Sequence, residues 1–304
     1  MDEPGGQPWM RSCAGAFVHE TYQCSLAGVA YLRHGSKFQL KGIVHEYTYV
    51  LRHNTNPREV LKRGWASLNP NPRAVSVDIK FTHGPGIQVK DTISPAGARQ
   101  TAQRCYNRQV FGTPETVEEV AKYGKKIKSS GISSAHNEGA AARVGCPISW
   151  RSVSYNARAG AAIGAVVGVT VAVARGFWRY HKNDATWEEV VSDVAKEGFV
   201  GGVAGGAGAA AGTLAATGAA TLVAAPLGVL AVSFLAGTVA SIAASKGANY
   251  VAGKAAGYDW GGFQELIVPV YEDGDGADLP REGAGELLPW EETVGYEPVL
   301  AVTF

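Results

Sequence analysis

The feature that most constrains this chain is a run of 47 residues, Phe199 to Ser245, that contains no charged side chain. Its first half is rich in glycine and alanine, with Gly198, Gly202 and Gly206 at four-residue spacing. Glycine inside a helix in water costs about 1 kcal/mol relative to alanine. In a bilayer, by contrast, the helix satisfies the backbone, and small residues let helices approach closely. Because a span needs about 20 apolar residues, the run predicts two helices broken near Pro226.

A shorter uncharged run, residues 159–174, precedes the long one. It repeats the four-residue glycine spacing, at Gly160, Gly164 and Gly168. We therefore expect an all-α, Gly/Ala-rich helical hairpin module over residues 157–257, which associates with a membrane through 159–174 and 199–245. The glycine zipper also offers a contact for an oligomer. The residues leave two alternatives open, a soluble helical hairpin packed through Gly/Ala seams and a partly disordered Gly/Ala segment.

Charge is distributed unevenly, although the whole chain carries only +1. Residues 1–150 carry +8, residues 151–257 carry +3 and residues 258–304 carry −10. A basic head predicts an anionic partner, for which an acidic tail can compete. The predicted organisation is an N-terminal extension (1–40), an α/β domain (41–128), a linker (129–156), the helical module (157–257) and an acidic tail (258–304).

Apolar periodicity predicts the elements of the head. Helical spacing indicates a helix from Lys41 to His53, and alternation indicates a β-hairpin with strands at 75–82 and 87–90. Two further helices are predicted, from Ala96 to about Gln109 and from Pro114 to the lysines at 125–128. The first 40 residues predict at most one short strand, Ala27 to Leu32. The fold class is α+β, with an αβββα-type head before the helical module.

One constellation in the head carries chemistry. Because side chains alternate along a strand, Asp78, Gln88 and Lys90 are expected on the face opposite the apolar residues, and Glu46 projects from the preceding helix. Carboxylate and carbonyl oxygens suit Mg²⁺, and a lysine can offset charge that develops on a phosphate.

The order of helix Glu, strand Asp, (D/E/Q)xK and helix resembles the PD-(D/E)xK nuclease superfamily. In particular, it looks like the resolvase-like domains that are fused to glycine-rich segments in bacterial polymorphic toxins and mobile-element proteins. The resemblance covers residues 41–110. It implies that Asp78, Glu46 and Gln88 hold Mg²⁺ and that Lys90 assists hydrolysis of a phosphodiester. No proline precedes Asp78, and Gln88 stands where an acid is usual.

Basic residues beyond the hairpin are candidates for nucleic-acid binding, to DNA rather than RNA. On a helix reaching Gln109, Arg104 and Arg108 would share a face and line a phosphate backbone. The full set is Arg99, Arg104, Arg108, Lys125 and Lys126. The toxin-like context also allows an immunity or delivery partner.

The preferred hypothesis is a metal-dependent nuclease-like effector with a membrane-associating module. The alternative is a membrane-active, pore-forming or structural membrane-anchored protein with a non-catalytic basic head. The acidic N-terminus lacks a classical signal peptide, so we expect a cytoplasmic or membrane-associated protein, or one delivered by a non-classical route. Four scattered cysteines predict free thiols: Cys13, Cys24, Cys105 and Cys146.

Overall fold

A computed structural model describes residues 11–37, 39–71, 77–104 and 108–255. The start of the predicted hairpin (residues 75 and 76), Cys105 and the acidic tail lie outside these residues. The chain divides into two compact units, residues 1–252 and 253–304. The sheet and the helices belong to the first unit, except for residues 253–255 at the end of the last helix.

Helix α1 spans Ala14–His34, where the sequence predicts a short strand at Ala27–Leu32. That prediction is wrong, because a short apolar run cannot by itself be distinguished from one face of a buried helix. Gly35, in the left-handed region, ends α1 and donates its N–H to the Tyr31 carbonyl. Gly15 of α1 permits a close helix contact, because a methyl group there would collide with the backbone of Gly164.

Helix α2 spans Leu40–Thr55 and confirms the helix predicted from Lys41 to His53. Asn56 separates α2 from α3, which spans Pro57–Arg63, and its side chain accepts a hydrogen bond from the Arg58 N–H. An asparagine N-cap followed by proline is a strong helix start, so the chain turns here without a long loop.

Five short strands form one mixed sheet in the order β1-β2-β3-β4-β5. The strands are β1 (Ala66–Leu68), β2 (Ile79–Phe81), β3 (Ile87–Lys90), β4 (Gln109–Gly112) and β5 (Lys128–Ser129). β1, β2 and β3 pair antiparallel, as the predicted hairpin requires, while β3, β4 and β5 pair parallel. One apolar core of the head lies on this sheet and is built from Ala66, Ile79, Phe81, Ile87 and Val89.

Two predicted helices of the head are shorter than expected. α4 spans Pro95–Gln103 and α5 spans Pro114–Ala121. The predicted continuation of α4 to Gln109 is wrong, since Gln109 begins β4, which gains a ladder with β3. The continuation of α5 into the lysines is also wrong. Gly124, with φ of 78°, follows α5, and β5 begins at Lys128.

Residues 129–156, predicted as a linker, are largely folded. They contain helix α6 (Ser134–Ala142), the fully buried Arg143 and the start of helix α7. Ser, Gly and Asn content alone suggested a linker, but Ser133 caps α6 and the small residues of α6 pack tightly against α1, α2 and α7.

Three long helices follow: α7 (Trp150–His181), α8 (Trp187–Leu222) and α9 (Pro226–Ala255). They contain both uncharged runs, and Pro226 begins α9, as the sequence predicts. Capping boxes at Ser149 and Thr186 start α7 and α8. The mixed α+β class with a helical C-terminal part is thereby confirmed. Cys13, Cys24 and Cys146 are free thiols among the described residues.

Candidate functional site

The residues predicted as a catalytic constellation converge at one end of β2 and β3. Asp78 lies at the bend just before β2, and Gln88 Nε2 donates to its Oδ1 at 2.9 Å. The Val89 N–H donates to the other oxygen, Oδ2, at 2.7 Å. Lys90 Nζ lies 3.8 Å from the same Oδ2. We call Glu46, Asp78, Gln88 and Lys90 the carboxylate cluster.

Glu46 approaches this cluster from α2. The pKa of Glu46 is raised to about 8, chiefly by burial and also by the nearby Asp78 carboxylate, while Arg33 and Lys90 oppose the shift. Burial also raises the pKa of Asp78, against the effect of Lys90 and of the hydrogen bonds from Val89 and Gln88. Two carboxyl groups that repel one another in a partly buried site can share a proton or a cation.

The donor chemistry of the cluster fits a hard divalent cation. Gln88 is 2% exposed, and its Oε1 has no hydrogen-bond partner among the described residues. Together with Glu46 and Asp78, this amide oxygen would supply oxygen ligands of the kind that Mg²⁺ prefers. The described residues contain no group of three or more His, Cys, Asp or Glu side chains placed to hold a metal.

Arg104 and Arg108, predicted as nucleic-acid-binding residues, do not share the helix face that was expected. Arg99 is exposed on α4, but Arg104 stands at the end of that helix and Arg108 lies beyond it. Lys125 Nζ donates to the Thr101 carbonyl, so this lysine caps the last turn of α4. Lys126 is exposed.

A second polar centre, between β3, α2 and α6, escaped the sequence analysis. Lys41 Nζ lies 3.1 Å from an Asp91 oxygen and 3.0 Å from one of Glu138, and Asn137 donates to Asp91. Burial raises the pKa of Asp91. The one signal in the sequence was that Asp91 directly follows Lys90.

Two buried histidines adjoin this centre. Burial lowers the pKa of His45 to about 3 and that of His136 to about 4. His45 Nε2 lies 2.8 Å from Ser130 Oγ, and His136 Nδ1 lies 3.4 Å from Gln23 Nε2. Both rings are therefore neutral near pH 7 and serve as packed polar groups rather than as charged ones.

A buried ion pair lies deep among α1, α8 and α9. Arg143 donates to both carboxylate oxygens of Glu20 at 2.8 Å, and the two side chains are 0% and 1% exposed. Arg143 also donates to Ser233 Oγ at 2.9 Å. Gly212 and Gly237 make room for the pair, because a methyl group at either position would collide with the Glu20 carboxylate.

Helices α7 and α8 pack through a glycine seam that brings their backbones into contact. A methyl group at Gly160 would collide with the carbonyl oxygen of Gly205, and one at Gly164 with that of Gly201. The same holds in the opposite direction for Gly201 and Gly205. The antiparallel pair thus interlocks through the predicted Gly160 and Gly164 of α7, but on α8 the contact is made by Gly201 and Gly205 rather than by the predicted Gly198, Gly202 and Gly206.

The four helices α1, α7, α8 and α9 show an inverted distribution of side chains. Small and polar residues face inward: Asn156 donates to Thr213, and Ser233, Ser241 and Ser245 are buried. Large apolar residues of the three long helices face outward, among them Val166, Val173, Phe199, Leu214, Leu222, Leu235 and Val239. Water-soluble bundles bury such residues, so this arrangement suits an apolar surrounding.

Length and composition make α7, α8 and α9 candidates to cross a membrane within the described part of the chain. No curated protein and no solved structure matches the chain. One family model, Magnetosome MamC family, matches residues 151–215, about a fifth of the chain, covering most of α7 and α8. This family is membrane-associated, and together with the apolar helices it confirms a membrane-associated location for the chain.

Proposed function

We propose that this protein is a membrane anchor, in which α7, α8 and α9 lie in a lipid bilayer and hold the basic head at its surface. The inverted side-chain distribution carries the proposal. In hydrocarbon, outward leucine, valine and phenylalanine are solvated by lipid, whereas inward serine and threonine find hydrogen-bond partners only within the bundle. The match of α7 and α8 to a membrane-associated family supports the same conclusion.

The packing favours an anchor over a pore. At Gly160, Gly164, Gly201 and Gly205, the backbones of α7 and α8 touch, so no channel passes between these two helices. Further along α8, Gly208 and Gly237 also bring the backbones of α8 and α9 close together. Vesicles that hold the protein should therefore retain a trapped dye, and dye release would support the pore-forming alternative instead.

A charge on the outward face of α9 should weaken membrane insertion. Leu235 is 62% exposed, and arginine in its place would cost roughly 2.5–3.5 kcal/mol at the centre of a bilayer. We expect Leu235→Arg to move protein from the alkaline-resistant membrane fraction to the soluble or aggregated fraction.

The matched control is Leu61→Arg on α3 of the head, where the side chain is 86% exposed. This variant should fractionate like the unaltered protein. If both variants remain in the membrane fraction to the same extent, or if the unaltered chain is extracted at alkaline pH, the anchor proposal is wrong.

The carboxylate cluster supports a second candidate function, hydrolysis of a phosphodiester by the head. The convergence of Asp78, Gln88 and Lys90, with Glu46 beside them, is the observation that favours it, and the order of α2, β1, β2, β3 and α4 is compatible with the PD-(D/E)xK resemblance. A bound divalent cation would supply a more acidic water and offset negative charge. Lys90, which lies beside Asp78, would neutralise charge on a scissile phosphate.

The family match at 151–215 does not include the head, so nuclease activity, a DNA partner and a toxin role remain predictions. If the head cleaves DNA, Lys90→Ala and Asp78→Asn should each reduce Mg²⁺-dependent plasmid cleavage by roughly 10²–10³-fold. Lys80→Ala is the matched control, because Lys80 is an exposed lysine on the neighbouring strand β2. Cleavage that Lys90→Ala leaves intact would place the activity elsewhere.

A further inference from the structure

We infer that α1 is a fourth membrane-embedded helix, whose outward face contacts lipid acyl chains while its charged residue is neutralised inside the bundle. The inference rests on the proposed membrane anchor and adds to it an element that hydropathy does not reveal. The three candidate spans among the described residues do not include α1, because its sequence contains His19, Glu20 and Gln23.

The outward face of α1 carries no charge. The exposed positions between Ala14 and Leu32 are Phe17, Val18, Thr21, Ser25, Val29 and Leu32. His19 and Glu20 are each 1% exposed and point into the bundle. A helix that faces water normally places its charged residues outward, so α1 has the pattern expected of a helix in lipid.

Contacts along α1 fix its depth relative to the other helices. Ser12 Oγ donates to Glu197 at 2.9 Å, and the Cys13 side chain lies close to that of Ser245. Gly15 packs on the backbone of Gly164. Further along, Glu20 lies against Gly237, and a methyl group added at Gly28 would lie 3.7 Å from the Leu230 side chain.

These contacts align the uncharged segments of three helices. In α8 and α9 these segments are residues 199–222 and 226–245. In α1 the segment is residues 14–32, of which only the outward face is free of charge. At 1.5 Å per residue, these segments span between about 28 and about 36 Å, close to the thickness of a hydrocarbon core of roughly 30 Å. Charged residues resume together at one end, since Arg11 precedes Ser12, Glu197 binds Ser12, and Lys246 follows Ser245.

The outward face of α1 is also continuous with that of α9. The Phe17 and Phe234 rings meet edge to face, with centroids 5.7 Å apart. If lipid covers Leu235 and Val239 of α9, the same layer covers Phe17 and Val18. Arg158 of α7 is exposed and lies two residues before Gly160, which contacts Gly205, so it is at the level of this belt; long basic side chains can extend their charged group toward a polar boundary.

The buried ion pair explains how α1 tolerates this surrounding. An ionisable residue within a membrane is expected to face the bundle interior and to pair with an opposite charge. Arg143 binds both oxygens of Glu20 and brings the end of α6 against α8 and α9. The pair therefore neutralises the one acidic side chain that α1 would carry into the bilayer.

Photo-crosslinking of the full-length protein tests the inference. The protein is placed in phosphatidylcholine–phosphatidylglycerol vesicles that contain a phospholipid with a diazirine halfway along one acyl chain, and adducts are mapped by mass spectrometry. We expect adducts within residues 14–32 and 226–245 and none within 57–63. Adducts on α9 but not on α1 would overturn this inference alone, and adducts on neither would also overturn the membrane anchor.

Thiol labelling in nanodiscs gives a second, independent measurement. Val18→Cys on α1 should react with a charged maleimide at least about tenfold more slowly than Leu61→Cys on α3, because the reaction needs an exposed thiolate. Both positions are highly exposed in the protein itself, so neither change disturbs packing. Equal rates would place the outward face of α1 in water.

Discussion

Replacing Arg143 with methionine is expected to reduce the free energy of unfolding by about 3–5 kcal/mol, because Glu20 would remain buried without a partner. Gly212 and Gly237 accommodate the pair, so the helices cannot close over the loss without repacking. Denaturation of the full-length protein in detergent micelles, followed by circular dichroism, measures the effect.

Two controls separate the loss of the pair from other effects. Replacing both Glu20 and Arg143 with methionine should recover most of the stability, since a buried ion pair is often replaced by apolar residues at little cost. Arg151→Met removes an ion pair with Glu115 in which the arginine is 55% exposed, and should cost no more than about 1 kcal/mol. An Arg143→Met effect no larger than that of Arg151→Met would contradict a stabilising role for the buried pair.

The glycine seam predicts that three glycines of α8 respond differently to the same change. Gly205→Ala should destabilise the protein by about 1–3 kcal/mol, because the new methyl group meets the backbone of Gly160, which cannot move aside as a side chain can. Gly218 has nothing within 4 Å of an added Cβ, so Gly218→Ala should gain up to about 1 kcal/mol from helix propensity.

Gly202→Ala provides the intermediate case on the same helix. Its Cβ would lie 3.5 Å from the Ala161 carbonyl oxygen and from the Ala165 methyl group, at ordinary contact distance. This variant should therefore match or slightly exceed the unaltered protein in melting temperature. A Gly205→Ala protein as stable as Gly218→Ala would show that α7 and α8 are not in backbone contact at this position.

The elements that the sequence predicted well are those with a strong local signal. The uncharged run interrupted at Pro226 predicted two helices because proline begins a helix readily but disrupts its interior. Strand alternation correctly predicted that Gln88 and Lys90 share one side of β3, next to Asp78 at the bend before β2, because side-chain direction is set by the backbone. The function of this cluster stays a prediction, and the membrane-associated alternative has the stronger support.

The elements that the sequence missed depend on contacts between distant residues. Glu20 and Arg143 are 123 positions apart, and nothing near either residue indicates the other. The four-residue strand β4 exists through its pairing with β3, so the helical spacing of Arg104 and Arg108 was misleading. The Ser/Gly/Asn content of residues 129–156 suggested a linker. It was misleading, because small residues suit close helix packing as well as loops.

The buried ion pair also has a consequence for the order in which the chain is assembled. Helices α7 and α8 are neighbours along the chain and can interlock as soon as both are synthesised. Glu20 must wait until Arg143 has emerged, and the pocket is completed only by Ser233 of α9. Docking of α1 is therefore a late step of biosynthesis. Until then, the Glu20 carboxylate has no partner and has to remain hydrated.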